Sequence, residues 1–432
     1  MADDALTDVL REKGVITKED YIRIQAEKEK KEEQAKRETK KQLADETKKQ
    51  IETNLPVKVG FGHHGFSLAT RDGKFETNIQ WRFQFRYSFP FDSPPRTLKQ
   101  FNVTEPDSSS FNVRRARIKV GGHGYKPWLK YYFEFDWPSA RLLDWRVMVS
   151  KFKWATLKIG QYKIDYNRER RDSSGKQQFA ERSIVNREFT IDRQIGATLY
   201  GHLFPGSMAD SRYWVGVYNG TGRGENPNDD TNHMYMGRLQ WNFLGRDLKF
   251  QQTDVEYHEQ PAGSVAFAAV TGISKCTRFS SGGCGNLDGF LSPSKAVKGE
   301  FRIDQMMEET AFKWRGFSLQ HEFHWKQIKD SQKPTGPGSK TNMMGSYSQV
   351  GYFPHYMIPL VPKPLEIAFR YAFVDPNVFM PNDMRREFTW GLNWFFAGHR
   401  NKLTADVRRE VLAQAGADRS EWGGRLQYDV SF

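Results

Sequence analysis

From Gly73 onward the chain alternates apolar and polar residues with period two. In GKFETNIQWRFQFRYSF, one face carries Phe75, Thr77, Ile79, Trp81, Phe83, Phe85 and Tyr87, and the other carries Glu76, Asn78, Gln80, Arg82, Gln84 and Arg86. Successive side chains of a strand point to opposite faces, so this segment has one greasy and one polar face. It is long enough to cross a bilayer as a tilted strand, which takes about 9–11 residues. The pattern returns in WLKYYFEFDW (Leu129, Tyr131, Phe133, Phe135 and Trp137 against Lys130, Tyr132, Glu134 and Asp136) and in FTWGLNWFF (Phe388, Trp390, Leu392, Trp394 and Phe396). A soluble sandwich also alternates, but it rarely lines one face with arginine.

Repeated along the chain, the alternation predicts strands near 74–88, 112–121, 128–137, 142–152, 155–165, 193–204, 212–220 and 233–244. It continues with 247–258, 301–314, 317–328, 345–354, 364–375, 386–397, 401–411 and 421–432. An even number of antiparallel strands is what a single-chain bacterial outer-membrane barrel requires. The expected fold class is therefore an all-β transmembrane barrel of sixteen antiparallel strands. Joins after even-numbered strands are mostly short (GGHGYKP, LGRD, Arg315-Gly316, AGHRN), and those after odd-numbered strands mostly long (89–111, 166–192, 221–232, 259–300, 329–344). Short periplasmic turns and long external loops make the same asymmetry. The join at Pro138-Ser139-Ala140 is short and breaks the trend. The terminal WGGRLQYDVSF places Leu426, Tyr428, Val430 and Phe432 on one face, like the aromatic-ended signal that outer-membrane assembly machinery reads.

Residues 1–55 follow different rules. A short amphipathic start (Leu6, Val9, Leu10, Val15, Ile16, Tyr21, Ile24) gives way to EKEKKEEQAKRETKKQLADETKKQ. Glu and Lys at helical spacing support a solvated helix. Heptad steps from Tyr21 and Ile24 reach Lys28 and Lys31, so there is no sustained coiled-coil seam. The expected division is a charged N-terminal helical segment, periplasmic, over 1–55 and the barrel over 56–432. Assisted trimerisation and cell-wall contact are weaker expectations for the helix.

Composition narrows the class further. The 432 residues carry a net charge of +13 and 14% aromatic residues, with a mean hydropathy of -0.73. No apolar run of the roughly 20 residues needed for a membrane helix occurs, and the aromatic content argues against disorder. The N-terminal segment is close to neutral, so the positive charge belongs to the barrel. MADDALTDVL has neither the basic nor the apolar region of a signal peptide, so the expectation is a mature chain with an added Met1. Cys276 and Cys284 form no metal or haem motif. A disulfide closing a short loop is the plainest reading, in an oxidising compartment.

Alternation places Arg82, Arg86, Arg115, Arg117, Lys119, Lys130 and Arg146 on the polar face, with Arg238, Arg370, Arg408 and Arg425. An arginine facing lipid at mid-depth would cost roughly 2–4 kcal/mol, which turns these residues toward the lumen. Rings of cations concentrate anions. About half of them are expected to do no more than pair with lumenal acids such as Glu134, Asp136, Asp144, Glu322 and Glu366, since close opposite charges are common. The long segment 166–189 adds Arg168, Arg170, Arg171, Lys176, Arg182 and Arg187, and would form a constriction if it folds inward; a solvated loop is the alternative.

VRRARIKVGG (113–122), KYYFEFDW (130–137), KIGQYK (158–163), FAERS (179–183), WVGVYNGTG (214–222), LEIAFRYAFVD (365–375), GLNWFF (391–396) and the terminal LQYDVSF together resemble the phosphate-selective porin O and P family over about residues 73–432. The resemblance implies a trimeric sixteen-stranded barrel, an inward-folded third loop and diffusion of small anions, phosphate included. The family's site is lysine-dominated, and Lys163 and Lys176 are the nearest candidates here. The alternatives are a general porin with weak charge preference and an envelope-anchoring barrel. His321 and His324 fall on opposite faces of a strand, His63-His64 read as loop residues, and NGTGRGEN leads into Pro227 rather than a helix. No nucleophile, base and orienting residue occur together, and cations spread over many strands do not form a nucleic-acid patch. The expectation is a channel with no enzyme activity, cofactor, metal or nucleic-acid partner, surrounded by outer-membrane lipid.

Overall fold

The computed structural model describes residues 7, 9–54, 57–62, 65–101, 109–224, 227–336 and 338–432. The chain divides into two compact units, residues 1–59 with 69–71 and residues 60–68 with 72–432. Met1, His63 and His64 lie outside the described residues.

The first unit holds one long helix, α1, Lys18–Asn54. Thr17 caps its start: the Asp20 amide donates to Thr17 Oγ1 (3.1 Å) and the Thr17 hydroxyl donates to the Asp20 carboxylate (2.6 Å). This reciprocal cap satisfies an orphan amide of the first turn. Pairs such as Arg37–Glu33 (2.7 Å) decorate a helix that is exposed along most of its length.

The second unit is a closed antiparallel barrel of sixteen strands. They are β1 Glu76–Phe89, β2 Ser110–His123, β3 Leu129–Asp136, β4 Arg141–Phe152, β5 Ala155–Lys163 and β6 Arg193–Leu203. Then come β7 Ser211–Tyr218, β8 Met234–Trp241, β9 Ala262–Ser274, β10 Phe301–Trp314 and β11 Phe317–Asp330. The last are β12 Lys340–Tyr352, β13 Leu365–Asp375, β14 Arg385–Phe395, β15 Asn401–Leu412 and β16 Arg419–Ser431. Each pairs with the next, and β16 returns to β1 with Tyr428 opposite Phe85. Closure is completed by the C-terminal residue: Phe432 and Trp81 exchange both backbone hydrogen bonds, at 3.0 and 3.2 Å. A closed ring leaves no unpaired edge, which is what permits strands to stand in lipid. The β10–β11 turn, like β4–β5, has only two residues, and Arg315 and Gly316 are both at positive φ (46° and 83°), a combination that matches strand twist and favours glycine.

One strand departs from expectation. The ninth is Ala262–Ser274, whereas the alternation in DLKFQQTDVEYH predicted 247–258; those residues belong instead to the connection 242–261. The reason is local. The inward residues of β9 (Ala262, Ser264, Ala266, Ala268, Val270) are small and uncharged because other protein covers them, so the polar-in pattern that marks a water-lined strand is missing. In 247–258, Leu248 and Gln251–Asp254 are buried although no strand forms.

The barrel is not hollow. Residues 164–192 leave β5, cross the lumen and return to β6. Their apolar side chains Ile164, Tyr166 and Ile191 pack on Trp214, Tyr218, Met234, Met236, Val270, Ile303 and Met307 from the inner faces of β7–β10. Ile184, Val185 and Phe189 pack against Ile328, Met343, Tyr347 and Val374. This half of the interior is a dry core like that of a soluble domain.

Candidate functional site

The long crossing segment touches three walls. Near its start Arg168 Nε donates to Glu309 (2.7 Å), and Arg238 reaches the same carboxylate (2.8 Å). Its tip spans to the far wall: Gln178 Nε2 donates to Glu366 (2.8 Å), Asn393 donates to the Gln178 backbone carbonyl (2.8 Å), and the Ala180 backbone amide donates to Asp406 (2.9 Å). On its return the Ile184 amide donates to Glu387 (3.0 Å). From the short-turn end, the connection 242–261 meets it: Arg168 donates to the Lys249 carbonyl (2.7 Å), and the Gln178 amide donates to Gln252 (2.7 Å). The lumen is therefore narrowed by two segments, and alternation gave no signal for the second. Phe250, which receives the cations Arg168, Arg171 and Arg238 over its ring, was the residue that imitated a strand.

The arginines named from the sequence are mostly committed to acids. Arg117 bridges Glu134 (2.8 Å) and Asp136 (3.0 Å), Arg146 meets Asp144 (2.5 Å), and Arg170 and Arg171 meet Asp192 and Asp165. Arg187 meets Glu188 (2.7 Å), Arg370 meets Glu387 (2.6 Å), and Arg425 meets Asp406 (2.7 Å). Arg408 sits over Phe91, 4.0 Å from Glu410. Arg182 donates to the carbonyls of Glu169 and Asp172 (both 2.8 Å). Arg86 and Arg115 share Glu181, at 3.2 and 3.5 Å. Arg82 donates to Ser173 (2.7 Å), lies 3.8 Å from Glu134, and keeps a buried Nε without a hydrogen-bond partner.

Lysines behave differently. Lys119 donates to Gln80 (3.3 Å), and Lys163 donates to the carbonyls of Arg170 and Asp172 (3.1 and 3.3 Å). Lys313, Lys326 and Lys402 also donate to carbonyl oxygens. These acceptors are neutral, whereas Lys158 pairs with a carboxylate, Asp165 (2.6 Å). Lys313, Lys326 and Lys402 were not singled out from the sequence, although alternation places each on the polar face of its strand. Lys130 is exposed at the short-turn end, and Lys176 lies on the crossing segment beside Arg82.

Three cavities lie against the wall the dry core leaves open. One of 330 Å³, at the long-loop end, is lined by Arg114, Arg115, Arg117, Asp136 and Arg141. At the short-turn end lie a cavity of 300 Å³ with Arg82, Lys119, Lys176 and His399 and one of 540 Å³ with Lys119, His123 and Lys130. Register joins them: Gln84, Arg82 and Gln80 on β1 face Arg115, Arg117 and Lys119 on β2. Gly175 is what lets the crossing segment approach this ladder, because a Cβ there would stand 2.8 Å from Arg82 Nη1.

Electrostatics of the loops follow from this packing. Burial would raise the Glu181 carboxyl, but Arg114, Arg115 and Arg86 outweigh it and hold it well below the usual range. Glu188, opposed in the same way by burial and by Arg385 and Arg187, falls to about 2. Where cations are fewer, burial wins: Glu169 rises to about 7 and Asp172 to about 6. Burial, with Lys402, Lys176 and Lys313 nearby, holds the His399 imidazole well below its ordinary value, hence uncharged.

Cys276 and Cys284 are joined by a disulfide with Cα atoms 5.6 Å apart, in the connection between β9 and β10. His321 faces outward and His324 faces the lumen, where it meets Glu322 (2.9 Å). No group of three or more metal-ligating side chains occurs among the described residues.

Comparison with known proteins gives the same architecture. The profile of a family described as phosphate-selective porin O and P matches residues 80–409. Among solved structures, an anion-selective porin from Comamonas acidovorans is similar with a TM-score of 0.54 at 10% identity, covering 82% of this chain and 99% of that one. The outer membrane channel DcaP of Acinetobacter baumannii gives 0.50 at 8% identity, covering 84% and 99%. No curated protein matches the chain in sequence.

Proposed function

The chain belongs to the phosphate-selective porin O and P family and is an outer-membrane porin, and from the residues of its lumen we propose that it passes small inorganic anions, phosphate among them, by passive diffusion. The route runs along the β1–β4 wall. The observation that carries this reading is the cation ladder Arg115, Arg117 and Lys119, with Arg82 opposite, linking a cavity at each end of the barrel. Anions enter at the long-loop end, taken as external, and leave past Lys119 and Lys176. Cations spaced along a low-dielectric channel raise local anion concentration, and several weak sites allow release as well as entry.

Phosphate suits the same geometry. Arg82 keeps a free Nε donor, and the lysines supply compact positive charge without a competing carboxylate. Guanidinium and ammonium groups are the usual ligands of phosphate oxygens. The same reading takes α1 as a periplasmic segment with cell-wall contact, and the barrel as one of a homotrimer.

The test is the zero-current potential of the purified protein in a planar bilayer, under a chloride gradient and then a phosphate gradient. Anion preference with phosphate blocking the chloride current supports a phosphate channel. Anion preference without block leaves a general anion porin, and cation preference sinks the reading.

A further inference from the structure

Guanidinium and ammonium groups give hydrogen bonds and take none, so cations alone do not distinguish two anions of equal size and charge. The 300 Å³ cavity at the short-turn end adds a group of another kind. Arg82, Lys119 and Lys176 line it, and so does His399 from the turn between β14 and β15. The His399 ring is half-buried and stands edge-on to Phe395, with centroids 5.4 Å apart. Its Nε2 meets the hydroxyl of Thr253 at 3.3 Å, and Lys313 holds that residue by donating to its carbonyl (2.6 Å). His399 Nδ1 has no hydrogen-bond partner among the described residues. Burial, with Lys402, Lys176 and Lys313 nearby, keeps the ring uncharged, and a neutral imidazole donates through one nitrogen while accepting through the other. The oxygens of Gln80 and Ser173 on the same cavity are already engaged, by Lys119 (3.3 Å) and Arg82 (2.7 Å).

We propose that His399 makes this cavity a site for oxyanions that still carry a proton, such as hydrogen phosphate and hydrogen arsenate, and turns away fully ionised ones such as sulfate. In this arrangement Nε2–H is given to Thr253, and Nδ1 is a bare acceptor among cations. The hydroxyl of hydrogen phosphate donates to Nδ1 while its other oxygens face Arg82, Lys119 and Lys176. Sulfate has a similar size and the same charge but brings acceptors only, so it sets one lone pair against another. A site built to pair with a ligand hydroxyl rejects the analogue without it, because the group of the site is left unpaired. Glu256 also lines the cavity, but it is exposed and opposes both dianions alike. His399 is thus a specificity-determining residue, placed where the route leaves the barrel. The inference rests on the anion route proposed above and adds which oxyanions that route takes.

The test is block of the chloride current through the full-length protein in a planar bilayer, titrated at neutral pH with phosphate, arsenate and sulfate. The expected result is block by phosphate and arsenate at about tenfold lower concentration than by sulfate. His399→Phe brings the three within about twofold of one another, through a loss for phosphate and arsenate. His399→Gln, whose amide oxygen accepts in place of Nδ1, restores the gap, and Glu256→Gln strengthens block by all three while keeping it. Folding of each variant is checked by heat-modifiable migration, and the comparison in the parent protein refutes the inference by itself if no variant folds. Equal block by phosphate and sulfate in the parent, or no block by either, would overturn the inference and leave an anion route standing. Losses of the same size for all three anions in His399→Phe would reduce His399 to a structural part of its turn. Cation preference in the parent would overturn the route and the inference together.

Discussion

Glu181 Oε2 lies 3.2 Å from Arg86 Nη1, and that contact ties the tip of the crossing segment to the first strand of the barrel. The same carboxylate holds Arg114 at 3.0 Å and Arg115 at 3.5 Å. Three cations near the long-loop cavity thus share one acid, and a net positive charge remains there. Glu181→Gln removes the charge and keeps the shape. Anion preference, read as zero-current potential, rises in this variant, and the open-channel current becomes noisier as the segment loosens. An unchanged potential would place the conducting route away from Glu181.

Glu309 is the only acid paired with both Arg168 and Arg238 among the described ion pairs, and all three side chains are fully buried. Glu309→Gln leaves two guanidinium groups without their counter-charge. Stranding a buried charge costs about 3–5 kcal/mol, so the urea midpoint falls clearly in detergent or lipid. A midpoint within error of the parent would mean that the packing of Tyr166 and Ile191, not the ion triad, secures the start of the segment.

Lysine and arginine along β2 separate in effect. Lys119→Gln removes a charge held only by Gln80, so anion preference drops while stability changes little. Arg117→Gln takes the shortest ion-pair partner from both Glu134 and Asp136, so it loses stability as well. Equal losses of stability in both would contradict the division of labour between the two residue types.

Opening by pH has a defined sign. Burial raises Glu169 to about 7 in the folded barrel, whereas the exposed carboxyl titrates near about 4.3. The folded segment therefore binds a proton that the released segment has lost. The contribution of Glu169 to docking is full below about pH 4.3 and is lost as pH rises toward about 7. Glu188, lowered to about 2, acts in the opposite direction, but only as pH falls below about 4.3. Current noise measured from pH 5 to 8 should increase with pH, and Glu169→Gln should flatten that slope. Noise that decreases with pH would refute the assignment.

The disulfide closes a short ring, with a sequence separation of 8. Chain-entropy arguments give such a ring roughly 2–3 kcal/mol. Cys276→Ser with Cys284→Ser therefore lets proteases added outside whole cells cut residues 275–300, leaving the barrel band intact. Resistance equal to that of the parent would show that the packing of Phe279 alone holds the loop.

Much of this fold was legible from alternation, because a wall between lipid and water writes its period into every strand it touches. β1 and β14 read clearly for that reason. β9 did not, since its inner face meets protein rather than water, and Ala266 and Ala268 stand where a charge would have marked the lumen. The positions of the cation ladder were legible in the same way, as Arg82 stands between Trp81 and Phe83 and Arg117 between Ala116 and Ile118. What could not be read was which cations keep their charge. Pairing Arg117 with Glu134 depends on strand neighbours, and pairing Arg168 with Glu309 depends on residues 141 positions apart. Lys313, Lys326 and Lys402 were overlooked because a lysine capped by carbonyls has no partner visible in the sequence.

The dry core of Trp214, Met234, Val270 and Ile303 has a consequence for how the molecule tolerates change. The barrel is filled with side chains on one flank and keeps cavities on the other, so along the proposed route its two flanks answer to different selective pressures. Substitutions on β7–β10 are filtered by volume and shape, as in the interior of any soluble protein. Those on β1–β4 are filtered by charge and by what they do to passing solute. A library spread over both flanks would sort into folding defects and selectivity changes according to strand number, and the border between the two classes would trace the outline of the water path.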